Sequence, residues 1–269
     1  MQTSNPARIV QITDTHLYEA SDGTLLKMNT HDSLQYVLNM VKAKEPQIDL
    51  ILATGDIAQD ASEAAYRYFI EQMDGLSAPM RWIPGNHDVI SVMNKVAGDS
   101  DIKDKLVRVN NWAILLLNTS VVGQVHGNLD DDELVFLSDS LAALQSDGDV
   151  EHILITMHHN PVQGNAGWMK DIGLHNEADF WERVKGQDKL RCILYGHVHQ
   201  DLDFQHNGIR CLCTPSTCIQ FKPDVVNFSL DSVNPGYRNL QLHTDGSIDT
   251  QVHRVEGFNF EVDFTSPGY

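Results

Sequence analysis

Five apolar, strand-like runs in this chain each break off into a short polar cluster: Asp14-Thr15-His16, Gly55-Asp56, Gly85-Asn86-His87-Asp88, His158-His159 and Gly196-His197-Val198-His199. Arg8 to Thr13, Leu50 to Thr54 and His152 to Met157 are such runs, and the cluster at Gly85 follows Trp82-Ile83-Pro84. Runs rich in Ile, Val and Leu with little alternation are strands covered on both faces. Helical patterns separate the early ones, so the connections are right-handed crossovers and the strands parallel. In an open sheet of that kind, ligands bind beyond the carboxyl ends of the strands. The chain is thereby constrained to an α/β fold that carries Asp, Asn and His from five remote positions to one sheet edge.

The periodicity predicts strands near 8–13, 49–54, 80–84, 112–118, 152–157, 190–195 and 208–214. Leu34, Val37, Leu38 and Val41 make a helical stripe in 31–45, and Ala65, Phe69, Met73 and Leu76 do the same in 62–76. Asp60-x-x-Glu63 and Asp130-x-x-Glu133 resemble capping boxes with Asp in place of Ser or Thr. The helix opened by the second would bury Leu134, Leu137, Leu141 and Leu144. Residues 236–243 and 247–255 read as a β-hairpin around a tight Asp245-Gly246 turn, so a second, partly antiparallel sheet is expected. Residues 157–180 mix Gly, Asn, His, Pro and Trp without periodicity and predict a long loop over the ligand edge. With no Ser/Gly linker, repeat or low-complexity tract, residues 1–269 are read as one domain.

The chain of 269 residues carries 37 Asp and Glu against 19 Lys and Arg, a net charge of −18. That balance disfavours nucleic acid as a partner, because such binding depends on basic side chains neutralising phosphates. A small phosphorylated ligand is compatible with it, since bound cations reverse the local sign. The opening residues, Met1 to Arg8, have no apolar signal core, and no run of about 18 apolar residues occurs, so a soluble, cytoplasmic protein without membrane contact is expected. Cys192, Cys211, Cys213 and Cys218 lack paired metal spacing and read as buried thiols, with Cys211 and Cys213 on one face.

Asp, Asn and His without a thiolate suit Mn, Fe, Zn or Co in five- or six-coordinate sites. Asp14 and His16, two apart on an extended segment, project to one side and can hold one ion; His197 and His199 repeat that spacing. Asp56, directly after Gly55, is placed to bridge two ions. Two adjacent cations lower the pKa of a water and clamp a phosphoryl group, so the chain reads as a binuclear metallohydrolase. His87, next to Asn86, can donate to a phosphoryl oxygen or protonate a departing alkoxide. D-x-H, Gly-Asp and His-His alone are weak signals in a chain with 13 His, Gly-Asn-His-Asp and Gly-His-Val-His are moderately specific, and the five in this order are specific. His159 is expected to point away from His158 and hydrogen-bond rather than ligate, and Asp88 to act as a turn or helix cap. His31, His126, His152, His175, His206, His243 and His253 read as surface or turn residues. Asp130 to Glu133 reads as a helix N-terminus, and the phosphate loop, serine elbow and H-E-x-x-H motifs are absent.

These motifs resemble the calcineurin-like metallophosphoesterase superfamily, whose pattern is D-x-H, G-D, G-N-H-D/E, H and G-H-x-H. Flanking blocks such as Gly55 to Asp60, Gly123 to Gly127, Met157 to Pro161, Thr214 to Phe221 and Pro235 to Arg238 are similar to its bacterial class III 3′,5′-cyclic AMP phosphodiesterases. The resemblance implies a four-layer α/β/β/α sandwich with two mixed sheets. It implies one ion held by Asp14, His16, Asp56 and His199, and a second by Asp56, Asn86, His158 and His197. Iron or manganese is favoured for that pair, with zinc or cobalt as alternatives. Asp56 and His87 would be catalytic, and His16, Asp56, Asn86, His87 and His199 would border the bound phosphate. The implied reaction is hydrolysis of 3′,5′-cyclic AMP to 5′-AMP by a hydroxide held between the ions. Open alternatives are another phosphodiesterase, a nucleotide pyrophosphatase, or a non-catalytic protein-binding scaffold. Protein phosphatases of the superfamily pair the histidine matching His87 with an Asp three residues after the Gly-Asp carboxylate; Gln59 stands there, and Asp60 is a possible substitute. The base-facing loops are expected near Asn29-Thr30, 160–180 and Thr214 to Phe221.

Overall fold

The computed structural model describes residues 5–164 and 167–268, and in it the apolar runs form the inner strands of two stacked mixed sheets. The first sheet runs β15 (Ile248–Arg254), β14 (Gly236–Leu242), β1 (Ala7–Ile12), β4 (Leu50–Thr54), β5 (Met80–Ile83). β1, β4 and β5 are parallel, and the β14–β15 hairpin joins β1 antiparallel. The second sheet runs β10 (Leu202–His206), β11 (Ile209–Cys213), β9 (Leu190–Tyr195), β8 (His152–Thr156), β7 (Trp112–Leu116), β6 (Leu106–Val109). Its four central strands are parallel, and β10 and β6 are antiparallel edges. Small hairpins β2–β3 (Thr24–Leu25, Met28–Asn29) and β12–β13 (Gln220–Phe221, Leu230–Asp231) lie outside both sheets.

Strand pleating decides the layers, because alternate side chains take opposite faces. In β4, Leu50 and Leu52 face the second sheet while Ile51 and Ala53 face helices α1 (Thr30–Lys44), α2 (Glu63–Asp74) and α3 (Ile90–Ala97). In β7 and β8, Trp112, Ile114, Leu116 and Leu154 fill the same intersheet layer. Ala113, Leu115, Ile153 and Ile155 turn to helices α4 (Asp131–Ser146) and α5 (Glu177–Val184). The order is therefore α/β/β/α, with three apolar layers between four of secondary structure. Trp112, fully buried between the sheets, donates its indole N–H to His243 O at 2.8 Å.

The expected stripes of α1 and α4 are buried as read. The capping of α2 is not: Ser62 is its N-cap and accepts from Ala65 N at 3.2 Å, whereas Asp60 accepts from Glu19 N and Ser62 N. Asp130 does cap α4, but Glu133 does not reach back; it accepts from Asn118 N and pairs with Lys105. The β14–β15 turn spans His243–Ser247, wider than a two-residue turn, with Gly246 at φ 88°. His31 and His152 are buried rather than exposed, donating to Tyr18 O and Thr244 O. The four thiols are buried and unpaired, and Cys211 and Cys213 share one face.

Candidate metal centre

Parallel pairing brings the carboxyl ends of β1 and β4 side by side, and backbone bonds then lock the first two clusters together. Asp14 N donates to Gly55 O at 3.0 Å and His16 N to Asp56 O at 2.9 Å. In the second sheet Gly196 N donates to His158 O at 3.1 Å. Asp14, His16, Asp56, His197 and His199 all have positive φ, between 47° and 65°. Non-glycine residues in that region cost on the order of 1–3 kcal/mol each and persist where the surroundings over-determine them. The strands are thus bent sharply at their ends, and that bend aims the side chains. Gly55, at φ 96°, is required by crowding as well as by backbone angle, since a Cβ there would lie 2.5 Å from His158 Nδ1. Gly85 faces it, and a Cβ on Gly85 would overlap the Asp56 backbone and carboxylate.

Six of the predicted ligands, Asp14, His16, Asp56, His158, His197 and His199, are buried together, and Asn86 and His87 are half-buried beside them. His199 Nε2 lies 3.2 Å from Asp14 Oδ1 and 3.3 Å from His16 Nε2. His158 Nε2 lies 3.3 Å from Asp56 Oδ2, 3.2 Å from Asn86 Oδ1 and 3.9 Å from Asp14 Oδ1. Donor atoms of Asp14, His16 and His199 fall within 4.8 Å of one another, as do those of Asp14, Asp56 and His158, and those of His16, Asp56 and His87. His197 and His199 do not stay on one side: the His199 ring is 5.2 Å from His16, while the His197 ring is 5.0 Å from His158.

The donor set fits cations, and the outward ring nitrogens show it. His16 Nδ1 meets Gln59 Oε1 at 2.6 Å, His158 Nδ1 meets Thr54 O at 2.8 Å and His199 Nδ1 meets Ile219 O at 2.8 Å. His197 uses Nε2, 2.9 Å from Ile172 O. Carbonyl oxygens only accept, so each of these nitrogens carries the proton; the other nitrogen of His16, His197 and His199 keeps an inward lone pair, while that of His158 faces the Asp56 and Asn86 oxygens. His159 differs: Nδ1 meets Thr119 Oγ1 at 2.7 Å and Nε2 meets Val125 O at 3.1 Å, so both nitrogens are engaged. It hydrogen-bonds as expected, although its ring packs 4.6 Å from His197 instead of turning away.

Among the described residues, the ion-pair partners of Asp14 and Asp56 are histidines. Burial alone would lift the Asp56 carboxyl, but His158, His87 and His16 hold it well below the usual carboxylate range. The same contest, with His199 and His158 opposing burial, lowers Asp14. Burial drives His16 and His197 down to about 3, so both are neutral donors, whereas Asp56 and Asp14 overcome burial and raise His158 to about 9.

The flanking residues settle three sequence expectations. Gln59 orients His16, and Asp60 is occupied by Glu19 N and Ser62 N, so neither forms the phosphatase-type pair with His87. Asp88 caps no helix, since α3 begins without a side-chain cap, but it does close the Gly85–Asp88 turn through Gly85 N, and it accepts as well from Ile57 N, Ala58 N and Tyr66 Oη. It ties the Asp56 loop to the Asn86 loop, and burial followed by the Asp56 charge raises its pKa. Asn29 caps α1 instead of facing ligand. A cavity of about 280 Å³ opens onto Asp56, Asn86, His87 and His197, and its other wall carries Val125, Trp168, Ile172, Phe221 and Phe228. Of that wall, Val125 and Phe228 lay outside the expected loops, because isolated apolar residues on loops carry no periodicity.

Residues 7–201 match the calcineurin-like phosphoesterase family model. The chain belongs to that family. Among calcineurin-like phosphoesterases and related curated proteins, it is 42% identical over 261 residues to the 3′,5′-cyclic adenosine monophosphate phosphodiesterase CpdA of Pseudomonas aeruginosa, covering 97% of this chain and 94% of that protein. It is also 42% identical over 264 residues to the protein of the same name from Escherichia coli K12, with the same coverage. A dimetal phosphatase structure from Danio rerio superimposes with a TM-score of 0.63 at 16% identity, covering 94% of this chain and all of that one, which shows the shared fold.

Proposed function

We propose that this protein hydrolyses 3′,5′-cyclic AMP to 5′-AMP at a binuclear metal centre. The supporting observation is the convergence of Asp14, His16, Asp56, Asn86, His87, His158, His197 and His199, with Asp56, Asn86, His87 and His197 lining the cavity, in a chain similar over 97% of its length to enzymes of that name. One cation would be held by Asp14, His16, Asp56 and His199 and the other by Asp56, Asn86, His158 and His197. The oxygen and imidazole donor set suits iron or manganese, with zinc or cobalt as alternatives. When bound, such a pair supplies a deprotonated water and neutralises charge on the phosphoryl oxygens.

The chain's own groups do the rest. Asp56 is fixed through Oδ1 by the His87 backbone N–H at 2.9 Å, which leaves Oδ2 toward His16 and His158. Asn86 and His87 border the cavity where the phosphodiester would lie. Water adds to phosphorus, the bond to the ribose 3′ oxygen breaks, and that oxygen takes a proton, giving 5′-AMP. His87, half-buried with its ring 5.1 Å from His16, would donate to the phosphoryl group and protonate the leaving oxygen. The acidic surface argues against a polyanionic substrate. We place this activity in one domain acting in the cytoplasm; among the described residues no helix is long and apolar enough to cross a membrane.

The test is purified protein with its metal content measured, assayed on cyclic AMP, other cyclic nucleotides, bis-p-nitrophenyl phosphate and nucleoside diphosphate-linked substrates. Cyclic AMP should be the preferred substrate, with two ions per chain. His87→Ala should lower turnover ~10²–10³-fold while metal content stays near normal. Preference for a pyrophosphate linkage, or loss of metal in His87→Ala, would refute the assignment of substrate or of His87 respectively.

A further inference from the structure

The cavity at the candidate centre has two chemistries: polar donors at one end and aromatic rings at the other. Trp168, on the short turn Gly167–Met169, meets Phe221 edge-on at 5.1 Å and 84°, and Phe228 at 5.1 Å and 69°. Phe221 in turn lies flat on the His199 ring, 4.1 Å away at 5°. The turn is fastened by Gly167 N donating to Val225 O at 2.8 Å, and β12–β13 by Lys222 N donating to Ser229 O at 2.9 Å. A continuous ring sequence, His199 to Phe221 to Trp168, therefore leads from the metal ligands along the cavity wall.

The indole of Trp168 is built unlike those of Trp112 and Trp181. Trp112 and Trp181 each donate their N–H to a carbonyl, His243 O and Pro161 O respectively. Trp168 Nε1 is buried and has no hydrogen-bond partner among the described residues, although the residue lines the cavity. A buried donor without an acceptor is costly, and one on a residue that lines a cavity can gain its acceptor from the molecule that occupies the cavity. A cyclic nucleotide seated with its phosphate at Asp56, Asn86 and His87 carries its base one ribose away, on the side of this wall.

We infer that Trp168 is the specificity-determining residue that receives the nucleobase, its indole edge packing against the base and donating Nε1–H to a ring nitrogen or carbonyl. Phe221 and Phe228 hold the indole at that angle. The inference rests on the cyclic AMP reading above. The experiment compares kcat/KM of the metal-loaded enzyme for cyclic AMP and for methyl β-D-ribofuranoside 3′,5′-cyclic phosphate, which has the same diester and no base. Trp168→Ala should lower the ratio of the two about tenfold, through KM for cyclic AMP, as expected for one lost hydrogen bond together with the packing of the indole edge. Trp168→Phe, which keeps a ring and loses the N–H, should lower it about threefold. An unchanged ratio in both variants, or equal loss on both substrates, overturns the role of Trp168 and leaves the cyclic AMP assignment standing. Wild-type enzyme that cleaves bis-p-nitrophenyl phosphate but not cyclic AMP overturns both.

Discussion

At the scale of single residues, which side chains cluster was legible and their aim was not. Asp14 and His16 were expected to converge because alternate residues of an extended strand share a side. They converge instead because both sit in left-handed backbone just past the strand. The same bend parts His197 from His199, which a spacing of two cannot reveal. Asp88 was equally opaque, because a carboxylate at the end of Gly-Asn-His-Asp gives no hint that its acceptors will be filled by three backbone amides and Tyr66 Oη. Asp88→Asn replaces an acceptor with a donor facing those amides, so it should cost ~1–3 kcal/mol of stability and loosen the Asp56 and Asn86 loops together. Chemical denaturation and metal analysis of the variant would check this; wild-type stability with full metal content would contradict it.

At the scale of elements, the long periodic helices and the strands buried on both faces were readable, since their pattern is set by packing that repeats every turn or every second residue. The helices α3 and α5, of eight residues each, and the edge strands β6 and β10 were not. Their burial is partial, and the tertiary neighbours that stabilise them are far away in sequence. The start of α2 was misread for a local reason: Asp60 and Ser62 both suit a cap, and only the fold assigns Asp60 to the Glu19 loop. Ser62→Ala should therefore destabilise by about 1 kcal/mol, the ordinary worth of a side-chain cap. A urea titration that finds no change would return the capping role to Asp60.

For the molecule as a whole, the α/β architecture followed from the runs, but the pairing of β14 with β1 did not, because strands at opposite ends of a chain leave no trace of each other in composition. The proposed ligands are shared between the two sheets, with Asp14 and Asp56 following β1 and β4, and His158, His197 and His199 following β8 and β9. Cations bound there join the sheets, so binding energy becomes folding stability. At a hundredfold excess over Kd this is about 2.7 kcal/mol per ion. Chelation should then lower the melting temperature by roughly 5–10 °C, and re-addition of manganese or iron should restore it. A melting curve indifferent to chelator would count against ions at the seam.

The same seam sets an order of events during synthesis. Asp14, Asp56, Asn86 and His87 leave the ribosome long before His158, His197 and His199 do. A half-made chain would thus present carboxylates with few imidazoles to complete their coordination. Acquisition of the proposed ion pair would accordingly wait until the last G-H-x-H segment has been delivered.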